Sequence, residues 1–359
     1  MTVAAAPCAR AVELLEEAGL VSSSERVAGL VMASDLSRSN SNVEVVTPNA
    51  SFFVKLGKAG DRTAATLGPG KEIEMLRTLR AIRPNVLPWL PTVIHASTSE
   101  PALVLPMMPM RSLRAEEIDK VIPSDETFRR IGAALACFHG APSEDPEGLQ
   151  FGRSRCGYHL EPEWTDVLEN AHCYRRTIEI IAGSDAISSG LREVDERWTP
   201  QTPIHGDLRW DNLLVQVDDA NDLPSFSFID LETVVHGDPR WDVACFLADS
   251  MSSWIRRGAT FAGWDRSVKR RELALIRPPY QRAARHFLDG YRSSEQTGTY
   301  DEDLVVKMVA ARLIQTAIEA AVKTRDITQS IVDHLQISEN MFKAPATLGV
   351  EVLGIQNAP

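Results

Sequence analysis

The run His205-Gly206-Asp207-Leu208-Arg209-Trp210-Asp211-Asn212 constrains this chain more than any other stretch. It sets an aspartate two residues after a histidine and five before an asparagine. β-type residues follow at Leu213–Val217, and a second such run, Phe226-Ser227-Phe228-Ile229, ends on Asp230. A chance H-x-D-x-x-x-x-N match has a probability of roughly a few per cent over a chain this long. The pattern supplies one carboxylate to receive a proton, and an amide plus a second carboxylate to hold Mg²⁺. Those are the parts that phosphoryl transfer requires.

Length and composition leave room for two lobes. The chain has 359 residues, long for one domain, with 44% hydrophobic and 24% charged residues. No run approaches the roughly 18 apolar residues that cross a bilayer. Met1–Leu20 lacks a basic start before an apolar core and is interrupted by Glu13, Glu16 and Glu17. Cys8, Cys137, Cys156, Cys173 and Cys245 are scattered and form no C-x-x-C pair, which argues against structural zinc and a disulfide framework. A reducing cytoplasm is the expected compartment. Residues 1–108 carry ten acidic and ten basic side chains, so the net charge of −11 falls in residues 109–359. Such a surface is a poor partner for nucleic acid or anionic membrane. It serves solubility, or it recruits a cationic acceptor; charge alone leaves both open.

The periodicity predicts a small strand-rich layer followed by a larger helical part. The first forty residues read as helical, with Ala11, Leu14, Leu15 and Leu20 on one stripe. Residues 34–42 form a polar loop, and 43–47 and 51–55 make a hairpin around Pro48-Asn49-Ala50. A helix runs from Lys71 to about Ile82, and 93–95 and 102–105 are further strands. Pro106-Met107-Met108-Pro109 breaks the pattern and predicts a lobe boundary, giving domains 1–108 and 109–359. Beyond it, Ser124 caps a helix that runs to His139, and helices are expected near 163–181, 185–198, 240–252, 279–292, 302–324 and 327–341. The β-rich segment 203–230 interrupts them.

Asp207 is the candidate base, which would orient an acceptor hydroxyl and take its proton. Asn212 and Asp230 would offer oxygens to Mg²⁺, a hard cation that prefers them. His205 would brace the loop from behind. Lys55 ends the strand Phe52-Phe53-Val54, where an amine can pair with nucleotide phosphates. Glu72 can fix its direction; Glu74, roughly 200° around the helix, is the rival. Arg209 either stabilises charge on the transferred phosphate or makes an ordinary salt bridge. His139, His159 and His236 show no metal-ligand spacing, and a packed helix-end role suits His139.

In family order, these pieces resemble the aminoglycoside phosphotransferase family, which also includes choline and other small-molecule kinases. Phe53-Val54-Lys55 resembles its nucleotide-lysine strand, and Lys71–Leu79 the helix whose early glutamate pairs with that lysine, which favours Glu72. Ile131–His139 resembles its "L-x-x-L-H" helix end, and His205–Asn212 its catalytic loop. Ile229-Asp230-Leu231-Glu232 resembles its "I-D-x-E", and Gly237–Asp242 its "G-D-P-x-x-D", which implies that Asp242 pins the catalytic loop. The resemblance covers most of residues 34–250 and implies a bilobal, protein-kinase-like α+β fold with a small β-rich N-lobe and a larger, mainly helical C-lobe. One departure is the phosphate loop, Ser37–Asn42, which has no glycine; Ser39, Asn40 and Ser41 are its candidate nucleotide contacts, with Met107 at the hinge.

The combined expectation is a Mg²⁺-dependent kinase moving the γ-phosphate of ATP or GTP to a hydroxyl of a small, cationic molecule of aminoglycoside or amino-alcohol type. A kinase acting on Ser or Thr of a biosynthetic precursor peptide is the alternative acceptor class. A non-catalytic nucleotide-binding module is the alternative function class.

Overall fold

Alternating burial along Ser41–Val46 and most of Ser51–Leu56 builds the smaller part of the molecule. The structure is a computed structural model that describes residues 5–37, 41–57, 68–97, 101–121, 123–140, 172–216, 226–261, 263–293 and 301–355. It divides into two units: residues 1–111 with 214–234, and residues 112–213 with 235–359.

In the first unit, β1 (Met32–Asp35), β2 (Ser41–Val46), β3 (Ser51–Leu56), β4 (His95–Ser97) and β5 (Ala102–Pro106) form an antiparallel sheet ordered β1-β2-β3-β5-β4. Val45 pairs with Phe52, Val43 with Val54, and Val54 with Val104. Their shared parity sends these side chains to one face, where Ala11, Leu14 and Leu15 of the helix Ala5–Glu17 bury them. Lys55 has the opposite parity on β3, and its ammonium meets Glu72 of the helix Pro69–Ile82. That helix buries Ile73, Leu76 and Leu79 at helical spacing. The hairpin and this helix form where the sequence predicts them. β1 lies within the stretch read as helical: it is an edge strand with no buried residue, so no alternation marks it.

Residues 214–234 belong to this unit through specific contacts. Phe226 stacks on Trp89 with ring centroids 6.1 Å apart, and the Ser227 hydroxyl donates to the Trp89 carbonyl at 3.2 Å. The 3₁₀ turn Leu231–Thr233 then packs on the helix Pro69–Ile82.

The second unit is mainly helical. Its core holds the helices Asp125–His139, Arg240–Ala259, Pro278–Arg292, Glu302–Lys323 and Gln329–Lys343. The Ser124 side chain accepts from the Thr127 N–H and starts the first of these, and Gly140, at φ 62°, stops it. That helix and Pro278–Arg292 approach backbone to backbone. A Cβ on Gly132 would lie 2.0 Å from the Phe287 carbonyl oxygen, and one on Gly290 would lie 1.9 Å from that of Arg129. Phe246 stacks on Phe287 at 3.8 Å beneath this crossing. Among the described residues, no helix is long and apolar enough to cross a membrane.

Candidate active site

The loop 205–212 leaves the strand Thr202–Ile204, which pairs antiparallel with Val235–Gly237. Gly206 turns the chain at φ 82°, a conformation that favours glycine. Asp242, fully buried in the first turn of the helix Arg240–Ala259, accepts the backbone N–H of His205 at 2.6 Å and that of Gly206 at 2.9 Å. His139 Nε2 bonds the same carboxylate at 3.0 Å, and Tyr291 holds His139 Nδ1 at 2.8 Å. The Trp241 indole N–H donates to the Gly206 carbonyl at 3.0 Å. His205 is buried, and its Nδ1 faces the Asp207 N–H at 3.4 Å. The loop backbone is therefore fixed by groups that water does not reach.

Asp207 emerges from this frame between two arginines. Arg209 donates to its Oδ2 through Nε at 2.9 Å and through a terminal nitrogen at 2.7 Å. Arg312, from the helix Glu302–Lys323, donates to its Oδ1 at 3.2 Å. Glu319 closes a ring of alternating charge, accepting from Arg209 at 3.0 Å and from Arg312 at 3.0 Å. Burial alone would weaken the Arg312 proton, but Asp207 and Glu319 outweigh it and raise its pKa. Arg312 is buried, whereas Arg209 is 36% exposed, so Arg209 is the member of the ring that can leave. Asn212 turns its amide N–H to the Asp207 carbonyl at 2.9 Å, and among the described residues its Oδ1 makes no hydrogen bond.

The nucleotide-side candidates lie in the first unit. Lys55 Nζ sits 2.6 Å from Glu72 and 3.0 Å from Asp230 Oδ1. Burial would lower the Lys55 pKa; Glu72 and Asp230 outweigh it and hold the ammonium charged. Asp230 takes a left-handed conformation, φ 64° and ψ 53°, where its strand ends and the turn Leu231–Thr233 begins. Strain of this kind persists only where the surroundings impose it. Glu74 pairs with Lys71 at the surface instead. Ser41 opens β2 opposite Leu56, and the Met107 N–H donates to the Ser51 carbonyl at 2.8 Å. Ser39 and Asn40 lie outside the described residues.

This arrangement can be set beside known proteins. Residues 34–285 match the model of the phosphotransferase enzyme family, APH. The chain belongs to that family. No curated protein matches the sequence. Among solved structures, choline kinase LicA from Streptococcus pneumoniae shares 15% identity at a TM-score of 0.52, covering 93% of this chain and 99% of that one. The microcompartment-associated aminopropanol kinase shares 16% at 0.50, covering 93% and 98%. The GDP complex of aminoglycoside 2'-phosphotransferase-IIIa shares 12% at 0.50, also covering 93% and 98%. At these identities the likeness is one of fold. The chain has the α+β, protein-kinase-like fold of the phosphotransferase family.

Three features of this phosphotransferase site are absent from the sequence reading: Arg312, Glu319 and the contact between Lys55 and Asp230. Arg312 and Glu319 stand seven residues apart, two turns along one face of the helix Glu302–Lys323. Opposite charges at that spacing, with Arg312 inside the apolar run Met308–Ile314, were the available signal. Among the described residues, no group of three or more His, Cys, Asp or Glu side chains could hold a metal ion.

Proposed function

We propose that this phosphotransferase moves the γ-phosphate of ATP or GTP to a hydroxyl of a small, cationic molecule of aminoglycoside or amino-alcohol type, with Mg²⁺. One observation carries the reading: Asp207 stands at the tip of a loop whose backbone N–H groups are held by the buried carboxylate of Asp242.

Asp207 receives the acceptor proton on Oδ2 as the acceptor oxygen bonds to the γ-phosphorus and the bond to the nucleotide diphosphate breaks. Arg209 must release that oxygen first. Lys55, aimed by Glu72, pairs with nucleotide phosphates. Ser39, Asn40, Ser41 and Met107 remain contact candidates on sequence grounds. The donor chemistry fits Mg²⁺ residue by residue: among the described residues Asn212 Oδ1 makes no hydrogen bond, and Asp230 bonds Lys55 through Oδ1 alone. When bound, the ion would neutralise charge on the phosphate oxygens. The acidic balance of residues 109–359 supports a cationic acceptor.

The test is transfer from [γ-³²P]ATP and [γ-³²P]GTP to aminoglycosides, amino alcohols and hydroxyl-bearing peptides. Labelling of an amino-bearing alcohol is expected, and Asp207→Ala is expected to cost about 10²- to 10⁴-fold in rate. Unchanged transfer in that variant would sink the base assignment. A second reading, a non-catalytic nucleotide-binding module, is favoured by the fact that both oxygens of Asp207 are occupied by arginines. Nucleotide binding with no transfer to any acceptor or to water would select it.

A further inference from the structure

The helix Arg240–Ala259 carries a second buried carboxylate, Asp249, seven residues after Asp242. Seven residues make nearly two turns, so both carboxylates leave one side of the helix, roughly 10 Å apart along it. Asp242 takes the N–H groups of residues 205 and 206 at one end of the catalytic loop. Asp249 Oδ2 takes the N–H of Trp210 at the other end, at 2.7 Å. That N–H opens the 3₁₀ turn Trp210–Asn212, and the residue before the turn provides no side-chain cap.

Arg114 completes this second brace. It pairs with Asp249 Oδ1 at 2.5 Å and bonds the Ser253 hydroxyl. Its guanidinium lies 5.5 Å over the Trp210 ring, and its Nε lies 3.8 Å from the Asp211 carboxylate. The Trp210 ring is held in turn by Phe128, Phe246 and Tyr280. Burying an ion pair is costly, and hydrophobic residues of the same volume often hold a core as well. Here both charged groups address residues 210–212, the turn that ends on Asn212.

We propose that Asp249 and Arg114 are positioning residues for the metal-ligand end of the loop. They fix the turn that aims Asn212 Oδ1, as Asp242 fixes the end that carries Asp207. The inference rests on the reading of Asn212 as a Mg²⁺ ligand.

Binding of ADP and GDP to the full chain, measured by calorimetry across a Mg²⁺ series, tests it in Asp249→Asn, Arg114→Gln and Asn212→Ala. For the two brace variants, metal-free nucleotide affinity is expected to match the wild type. The Mg²⁺ needed for half-maximal effect should rise by about tenfold or more, as for other outer-shell partners. In Asp249→Asn, hydrogen exchange at the Trp210 amide should speed up alongside. If Asp249→Asn does not fold, Arg114→Gln decides, because it leaves the Asp249–Trp210 bond in place. A wild-type Mg²⁺ requirement in the folded brace variants, with Asn212→Ala impaired, overturns the inference alone. An unimpaired Asn212→Ala, or no nucleotide binding at all, removes the underlying reading and this inference with it.

Discussion

Asp207 is held from one side by a buried arginine and from the other by a half-buried one, and the difference between them is testable. A half-exposed ion pair is worth up to about 1 kcal/mol, or roughly fivefold in occupancy. Arg209→Ala should therefore raise the slow transfer of phosphate to water by about fivefold, read as nucleotide hydrolysis without acceptor. A fall instead would assign Arg209 to the transferred phosphate. At this scale the sequence was most informative where partners are close along the chain. Gly206, Asp207 and Asn212 lie within one loop, so their spacing carries the signal. Arg312 reaches Asp207, and Glu319 reaches Arg209, from more than a hundred residues away, so the spacing within the loop does not mark them.

The helices of the second unit were legible because Ser124, Gly140 and regular apolar spacing mark their ends and faces. Their contacts were not. Glycine is a weak helix former, yet Gly132 and Gly290 each admit a carbonyl oxygen of the opposite helix. Because those oxygens belong to backbone, Gly132→Ala or Gly290→Ala should destabilise by about 3 kcal/mol, the upper end for overpacking, seen as a lowered thermal midpoint. The helix Gln329–Lys343 adds a pH dependence. His334 Nδ1 donates to the Ser330 carbonyl, Nε2 accepts from the Ser252 hydroxyl, and burial lowers its pKa to about 4. The folded state resists a proton that the unfolded chain accepts near 6.5. Its stability contribution is therefore whole above pH 6.5 and declines as pH falls toward about 4, by about 3 kcal/mol in all. His334→Gln should flatten that limb in urea melts at stepped pH; an unchanged limb would place the titration elsewhere.

For the whole molecule, the chain first passes from one unit to the other after Arg111, two residues beyond the proline-rich stretch 106–109. The return of residues 214–234 to the first unit has no such mark. The segment reads as one β-rich run from 203 to 230, and contacts such as Phe226 on Trp89 and Asp230 on Lys55 reveal which unit it serves. A fragment of residues 1–111 lacks both partners and leaves a buried Lys55–Glu72 pair without its third member. Such a fragment should be digested by protease under conditions where the full chain resists. Equal resistance would show that the sheet and its two packed helices suffice.

The same crossing sets a timetable for synthesis. Strands and helices of the first unit leave the ribosome early, but the piece that completes them is encoded after a hundred residues of the second. Nascent chains shorter than 234 residues therefore carry an unfinished first unit. Its closure, and the pairing of its buried lysine with Asp230, wait until translation has passed the loop that holds Asp207.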